Sequence, residues 1–467
     1  MIRATMHLMR WGWLGDRLHR AALLLSVLTI VVCGLGIAAL TWWLLWSMLG
    51  AKTETPNQME LAKIALSVAA GIGGAVGLVV AYRRQRDLER GRFADLFGAA
   101  ARQLGDTDVA VRIAGVYAMA GVADEFSAPG HRQQCVDVLC GYIRLPYDHD
   151  AGANHLVSRA ESSEEFGTKV ERVYQFRQND HEVRRTILEV ITARLRRPAE
   201  VSWSDCDFDF TGALFVNAYF KNVEFGGRRT TFHRARFVGD RNTTFENARF
   251  TGEHVTFRDA TFTSRFVDFD RAEFRGDRTT FDGMTVECPH SSFTATRFSG
   301  SRTTFLGARL VGTRTSFRGA TFRAAFTTFE NATFDGEHTS FHSTEFVSPR
   351  ITFSGAKLYA GTTEFDRARI GAQQRWRATG TRGSDFTRAE FHGTVTFAAT
   401  FFGGRTVDFS EADFFGDISF ATTRFAAGEI RFDNPSAWVG THFEWDDNPA
   451  RKPTNIKPDL WPPAPVR

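Results

Sequence analysis

Cysteine is scarce: the 467-residue chain has five, at positions 33, 135, 140, 206 and 288. Scattered singly, they exclude a disulfide scaffold and a cysteine-rich zinc site. Cys135 and Cys140 are five apart, not the CxxC of a metal or redox pair, and read as structural. Neither charge sign dominates: 57 Lys plus Arg face 53 Asp plus Glu, a net charge of +4. That balance argues against nucleic acid as a partner and against an acidic DNA mimic that binds topoisomerases. The motifs of common chemistries are also missing, with no phosphate-binding loop, GxSxG, HExxH, dinucleotide fingerprint or EF-hand. No cofactor or metal is implied, and neither an enzyme nor a transport accessory is the expected reading.

Charge is absent altogether from two stretches, Ala21 to Ala51 and Ile64 to Tyr82. Each is long enough to span a bilayer as a helix, which takes ~20 apolar residues. Arg3, Arg10, Arg17 and Arg20 precede the first; Arg83, Arg84, Arg86, Arg90 and Arg92 follow the second. The loop expected over 50–63 carries balanced charge. Basic flanks face the cytoplasm, so both termini are expected there, with Arg83, Arg84 and Arg86 as a lipid-facing anchor. Gly73 and Gly77 form a small-xxx-small pair that permits close helix approach, within the hairpin or between copies.

Residues 83–200 read as a cytoplasmic helical segment. Ile113, Val116, Tyr117 and Ala120 recur at helical spacing, as do Val136, Leu139, Cys140 and Ile143. A polar connector over 146–180 is expected to be mobile. A further helix, 181–197, stacks Ile187, Val190, Ile191 and Leu195 before Pro198 stops it.

Beyond residue 200 one residue type takes over: 39 of the 44 phenylalanines lie there. Phe recurs every twelve residues at 245, 257, 269, 281, 293, 305, 317, 329, 341, 353 and 365. A second apolar ladder lies five residues on, from Phe250 and Phe262 to Leu358 and Ile370. Two residues before each centre stands a small or β-branched residue, such as Ala248 or Thr243; that separation puts both on one face of a strand. No helix keeps a 5/7 alternation on one face. The ladder breaks once, at 371–385, where Arg375, Trp376, Arg377 and Arg382 form a candidate recognition loop. Residues 434–467, with Trp438, Trp445 and Trp461, are placed to cover the far end of the array, and the 181–197 helix to cap its start.

With DFDFTGA (207–213), VLCGYIRLPY (138–147) and this ladder, the chain resembles the pentapeptide-repeat proteins, specifically bacterial membrane-anchored members with a helical segment before the repeats. The resemblance implies a right-handed β-helix with one apolar centre and one small residue inside on each face, at the inner membrane of a bacterium. Here every second face has gained two residues, so a widened, Phe-filled coil of 24 residues is expected. Phe should stack on Phe one coil away at the ~4.8 Å spacing of adjacent strands. In the array expected over 201–433, residues 208 to 432 would then hold about nine coils, a rod on the order of 45 Å long. The expected fold is a membrane α-hairpin, a small helical segment and an all-β solenoid.

Rigid repeats of this kind bind through their surface, so a membrane-tethered scaffold with a protein partner is the expected function. Between Glu287 and Glu330 no acid occurs, while Arg297, Arg302, Arg309, Arg314, Arg318 and Arg323 do. These six are the candidate docking patch.

Overall fold

A computed structural model describes residues 57–126, 128–149, 157–165, 168–371 and 383–466, with scattered positions between 32 and 47. The expected first span, with its basic flank and Cys33, lies almost wholly outside the described residues. So do Arg375, Trp376, Arg377 and Arg382. The chain forms two compact units, divided between Asp95 and Leu96.

The first unit contains most of helix α1 (Asn57–Leu104). Among the described residues one stretch, Leu66–Leu104, is long and apolar enough to cross a membrane. The loop expected over 50–63 is helical from Asn57 onward. NQMELAK lacks any breaker and is mostly strong helix formers, so the helix starts before the uncharged run.

The second unit opens with helices α2 (Val109–Glu125), α3 (Pro129–Arg144) and α4 (Asp180–Leu195). On α3 and α4 the expected apolar stripes are buried. On α2 the inward face is rotated: Tyr117 is exposed and Arg112 is buried. The reason is a polar cluster at the helix junction. Asp180 accepts hydrogen bonds from Arg112 (2.7 Å), the Tyr142 hydroxyl (2.5 Å) and Arg184 (2.7 Å), joining all three helices. Between α3 and α4, within the expected polar connector, the structure has an antiparallel hairpin of β1 (Ser158–Glu165) and β2 (Thr168–Gln175). Alternating polar and β-branched residues such as TKVERVYQ suit a pleated strand, and polarity alone concealed it.

From Phe208 onward the chain is a parallel β-solenoid of about ten turns. Most coils have four short strands; in two others the second and third are joined, as Arg309–Ser316 and Thr333–Ser340. In one coil the four are face A (Arg278–Thr280), face B (Thr285–Glu287), face C (His290–Ser292) and face D (Arg297–Phe298). Arg278 pairs with Arg302 and Arg302 with Phe326, a coil length of 24 residues. The expected extra residues sit at alternate corners, as at 263–265 and 275–277, and in two coils one longer strand, Arg309–Ser316 or Thr333–Ser340, runs through such a corner, so the coil stays four-sided. Past the ladder break the register resumes, Arg350 opposite Gly383, so the expected insertion ends before 383–385, which is a strand.

Phenylalanine fills the interior. One column runs from Phe210 through Phe281, Phe305 and Phe329 to Phe432, with successive ring centroids 4.5–5.2 Å apart. A second runs from Phe220 through Phe293 and Phe317 to Phe443 at 4.6–5.1 Å. The two meet edge to face, as in Phe281 against Phe293 at 6.2 Å and 89°, which suits the ring quadrupoles. Flanking columns mix Phe with Val286, Leu310, Leu358 and Ile370, all buried.

The corners alternate in kind. After each Phe of the two central columns a tight turn closes, as in Ala260 N–H to Phe257 C=O at 3.0 Å. Its third residue has positive φ whether it is Gly283, Asn331, Ala295 or Arg271, the geometry of a type II turn. At the other corners coils approach so closely that a Cβ on Gly276 would lie 2.0 Å from the Gly252 carbonyl oxygen. This contact accounts for the recurrent glycine of the repeat.

Both ends are closed, as edge strands require. At the start two helices meet the first coil: α3 against its first strand, and the end of the expected 181–197 helix through Arg196, bridged to Val223, and Arg197, paired with Glu224. The Gln133 side chain exchanges two 2.8 Å hydrogen bonds with the Asp207 backbone, and Arg144 pairs with Asp209 at 2.6 Å. Trp203, fully buried, donates to Asp124, which also holds Arg194 of α4. At the far end Phe443 stacks on Phe420 at 4.6 Å, Trp438 packs against Phe414 at 5.0 Å, and Trp461 lies 4.9 Å from Phe443.

The four described cysteines are buried and free. Burial pushes the thiol of Cys135 up to about 12 and those of Cys206 and Cys288 up to about 11, from an ordinary 9.0; burial raises Cys140 further still. Reactive thiols need the thiolate. Iodoacetamide at mildly alkaline pH is therefore expected to leave all four unmodified in the folded chain and label them after denaturation, as peptide mapping would read. The folded state keeps protons that the unfolded state loses above pH 9, so stability falls as pH rises from 9 toward 11–12.

Candidate binding surface

With the interior closed, the outward positions are where another molecule can be met. Their rows run along the solenoid axis, one residue per coil. Face D alternates in sign: Glu224, Arg249, Glu273 and Arg297 are successive partners. Glu273 pairs with Arg297 at 3.1 Å, Arg249 at 3.9 Å and Arg275 at 2.6 Å. Over these coils the face neutralises itself.

Face A does not. Its row is Arg229, His254, Arg278, Arg302, Phe326, Arg350. The arginines and His254 are exposed. Arg302 and Arg350 each hold their guanidinium 5.2 Å from the centre of the Phe326 ring, one from each neighbouring coil. Among the described residues no carboxylate pairs with Arg278, Arg302 or Arg350.

The acid-free run between Glu287 and Glu330 is therefore not one patch. Arg302 lies on face A, Arg309 on face B, Arg314 on face C and Arg297 on face D, with Arg318 and Arg323 at corners. Nearly two coils of sequence wrap the solenoid and scatter their charges to every side. Arg297 and Arg323 are moreover paired, with Glu273 and with Glu345 at 3.8 Å. Arg83, Arg84 and Arg86 are exposed on α1 in the first unit. The face A row was legible only at a spacing of 24: the tripeptide Arg-Thr-Thr stands at 278–280 and again at 302–304. The twelve-residue ladder hides it, because successive ladder positions fall in different columns.

A cleft also opens between α4 and the first coils, lined by Arg185, Arg196, Tyr219, Lys221, Glu246 and Asp268 among others. Its charges are mixed. The Lys221 ammonium, 2.6 Å away, holds the Glu246 carboxyl below its usual range, while burial pushes that of Asp268 up. Among the described residues no three His, Cys, Asp or Glu cluster to hold a metal ion.

These features define a class: a capped, Phe-filled parallel β-solenoid with chemically distinct outer faces. The chain matches no family model, no curated protein and no solved structure.

Proposed function

We propose that this protein is a membrane-tethered interaction scaffold of the pentapeptide-repeat kind, in which the solenoid presents its outer faces to a protein partner and performs no catalysis. The observation that carries the reading is the closed interior. Ring columns stacked at 4.5–5.2 Å leave no axial hollow for a ligand, so binding falls to the faces. Four-sided coils with one apolar centre and one small residue per face support kinship with that family. The apolar stretch in α1 and the uncharged run Ala21 to Ala51 support two spans, with both termini in the cytoplasm of a bacterial cell.

Alkaline carbonate washing of membranes and protease treatment of intact cells test the tether. The chain is expected to remain in the membrane pellet and its solenoid to escape cleavage. Release into the wash, or digestion from outside, would reverse the reading.

A further inference from the structure

We propose that face A is a docking face for anionic lipid headgroups, centred on Arg278, Arg302, Phe326 and Arg350. It rests on the scaffold reading and deepens it by naming what one side of the same solenoid meets.

Three observations lead there. The first is uncompensated charge. Among the described residues Arg278, Arg302 and Arg350 have no paired carboxylate, whereas Arg249 and Arg297 of face D share Glu273. Acids do flank the row at its ends: Asp277 precedes Arg278, and Glu330 lies beyond Thr328. Asp277 is held by the Ser301 hydroxyl. An exposed arginine on a rigid strand, without an internal carboxylate, is poised for an external anion.

The second is apolar company. Leu306 is 42% exposed at one edge of face A and Val347 36% exposed at the other, with the half-buried Phe326 between. Arginine interleaved with exposed apolar side chains suits the boundary between headgroups and acyl chains. A water-soluble polyanion would leave those apolar groups wet.

The third disfavours other occupants. A single-stranded nucleic acid stacks bases on aromatic faces, but both faces of the Phe326 ring are covered by guanidinium groups. A peptide added as a strand needs a free sheet edge. The strands of face A pair on both sides along this stretch.

The test uses the full chain in nanodiscs of phosphatidylcholine alone or with added phosphatidylglycerol. An environment-sensitive fluorophore is placed on Ala325→Cys, at the corner beside Phe326, or on Thr313→Cys, diagonally across the same coil; both positions are exposed. The Ala325 label is expected to shift to the blue only in phosphatidylglycerol discs, and the Thr313 label in neither. A basic residue near an anionic surface is worth about 1 kcal/mol, or roughly fivefold. R302Q/R350Q should therefore lower the docked-to-free ratio by about 25-fold, while R309Q/R314Q, on faces B and C, should leave it unchanged.

An Ala325 label indifferent to phosphatidylglycerol, or an equal loss in both double variants, overturns the inference. So does a shift evoked by soluble polyglutamate and not by the anionic bilayer, which would assign the face to an acidic protein. Retention of the chain in neutral discs reports on the tether separately. If it is not retained, the same labelled chain is offered to phosphatidylglycerol vesicles; a shift there keeps the face assignment, and its absence ends it.

Discussion

Phe305→Ala is expected to destabilise the solenoid by about 3–5 kcal/mol, the cost of emptying a fully packed aromatic site. Phe305 is fully buried and stacks on Phe281 at 4.5 Å and on Phe329 at 4.8 Å. It also meets Phe293, Phe298, Phe317 and Phe322 edge to face. Rings held from above, below and the sides cannot collapse into the space left, so the cavity persists. Leu306→Ala, one residue on but exposed, should change stability by less than about 0.5 kcal/mol. Phe305→Leu should fall between them, because Leu310 and Leu358 already serve in a neighbouring column. Urea unfolding of the three variants measures the order. Equal losses at 305 and 306 would mean that the column does not carry the stability assigned to it.

The second large effect is expected at Asp180→Ala, about 3–5 kcal/mol, because removing one partner leaves buried charge uncompensated. Asp180 is the single acid between Arg112 and Arg184, which are 1% and 6% exposed. Arg112 also reaches the Gln178 carbonyl at 2.6 Å, and Arg184 those of Ile143 and Leu145 at 2.8 and 2.9 Å. Without the carboxylate, two buried guanidinium groups lose the acid they share. Tyr142→Phe keeps the carboxylate but removes the hydroxyl that donates to it and accepts from Arg112 at 3.1 Å, and should cost about 1–3 kcal/mol. Burial and the Asp180 charge raise the Tyr142 hydroxyl above its ordinary value, so it remains a donor at any physiological pH. Thermal melting followed at the helical signal, apart from the β signal, would show whether the α2–α3–α4 layer fails first. A loss under about 1 kcal/mol at Asp180→Ala would remove this cluster as the pin of the helical layer.

Much of the solenoid was legible because its repeat is strict. A period of twelve with an inner step of five keeps Phe inside only in an extended, coiled chain; Phe245 and Phe269, two ladder steps apart and each one residue past a strand end, do stack at 4.8 Å. The corners were less legible. Arg271 and Ala295 occupy the same left-handed turn position as Gly283 and Asn331, so residue type did not mark the turn; the stacked coils impose it. On α2 the apolar pattern pointed to Tyr117, yet Arg112 is the buried residue, because its partner Asp180 lies 68 residues away. The binding surface was the least legible. Six arginines consecutive among the charges of one stretch looked like a patch, but coiling distributes them to four sides.

By itself, then, the amino-acid order determined what lies inside this protein: periodic Phe, Ala and Thr can satisfy their burial in one way, and local spacing suffices to say so. What lies together on the outside was decided only by the tertiary structure. Neighbours there are 24 residues apart in the chain, and coil length, corner shape and register set which charges meet and which, like Arg302 and Arg350, find an aromatic ring between them and, among the described residues, no carboxylate.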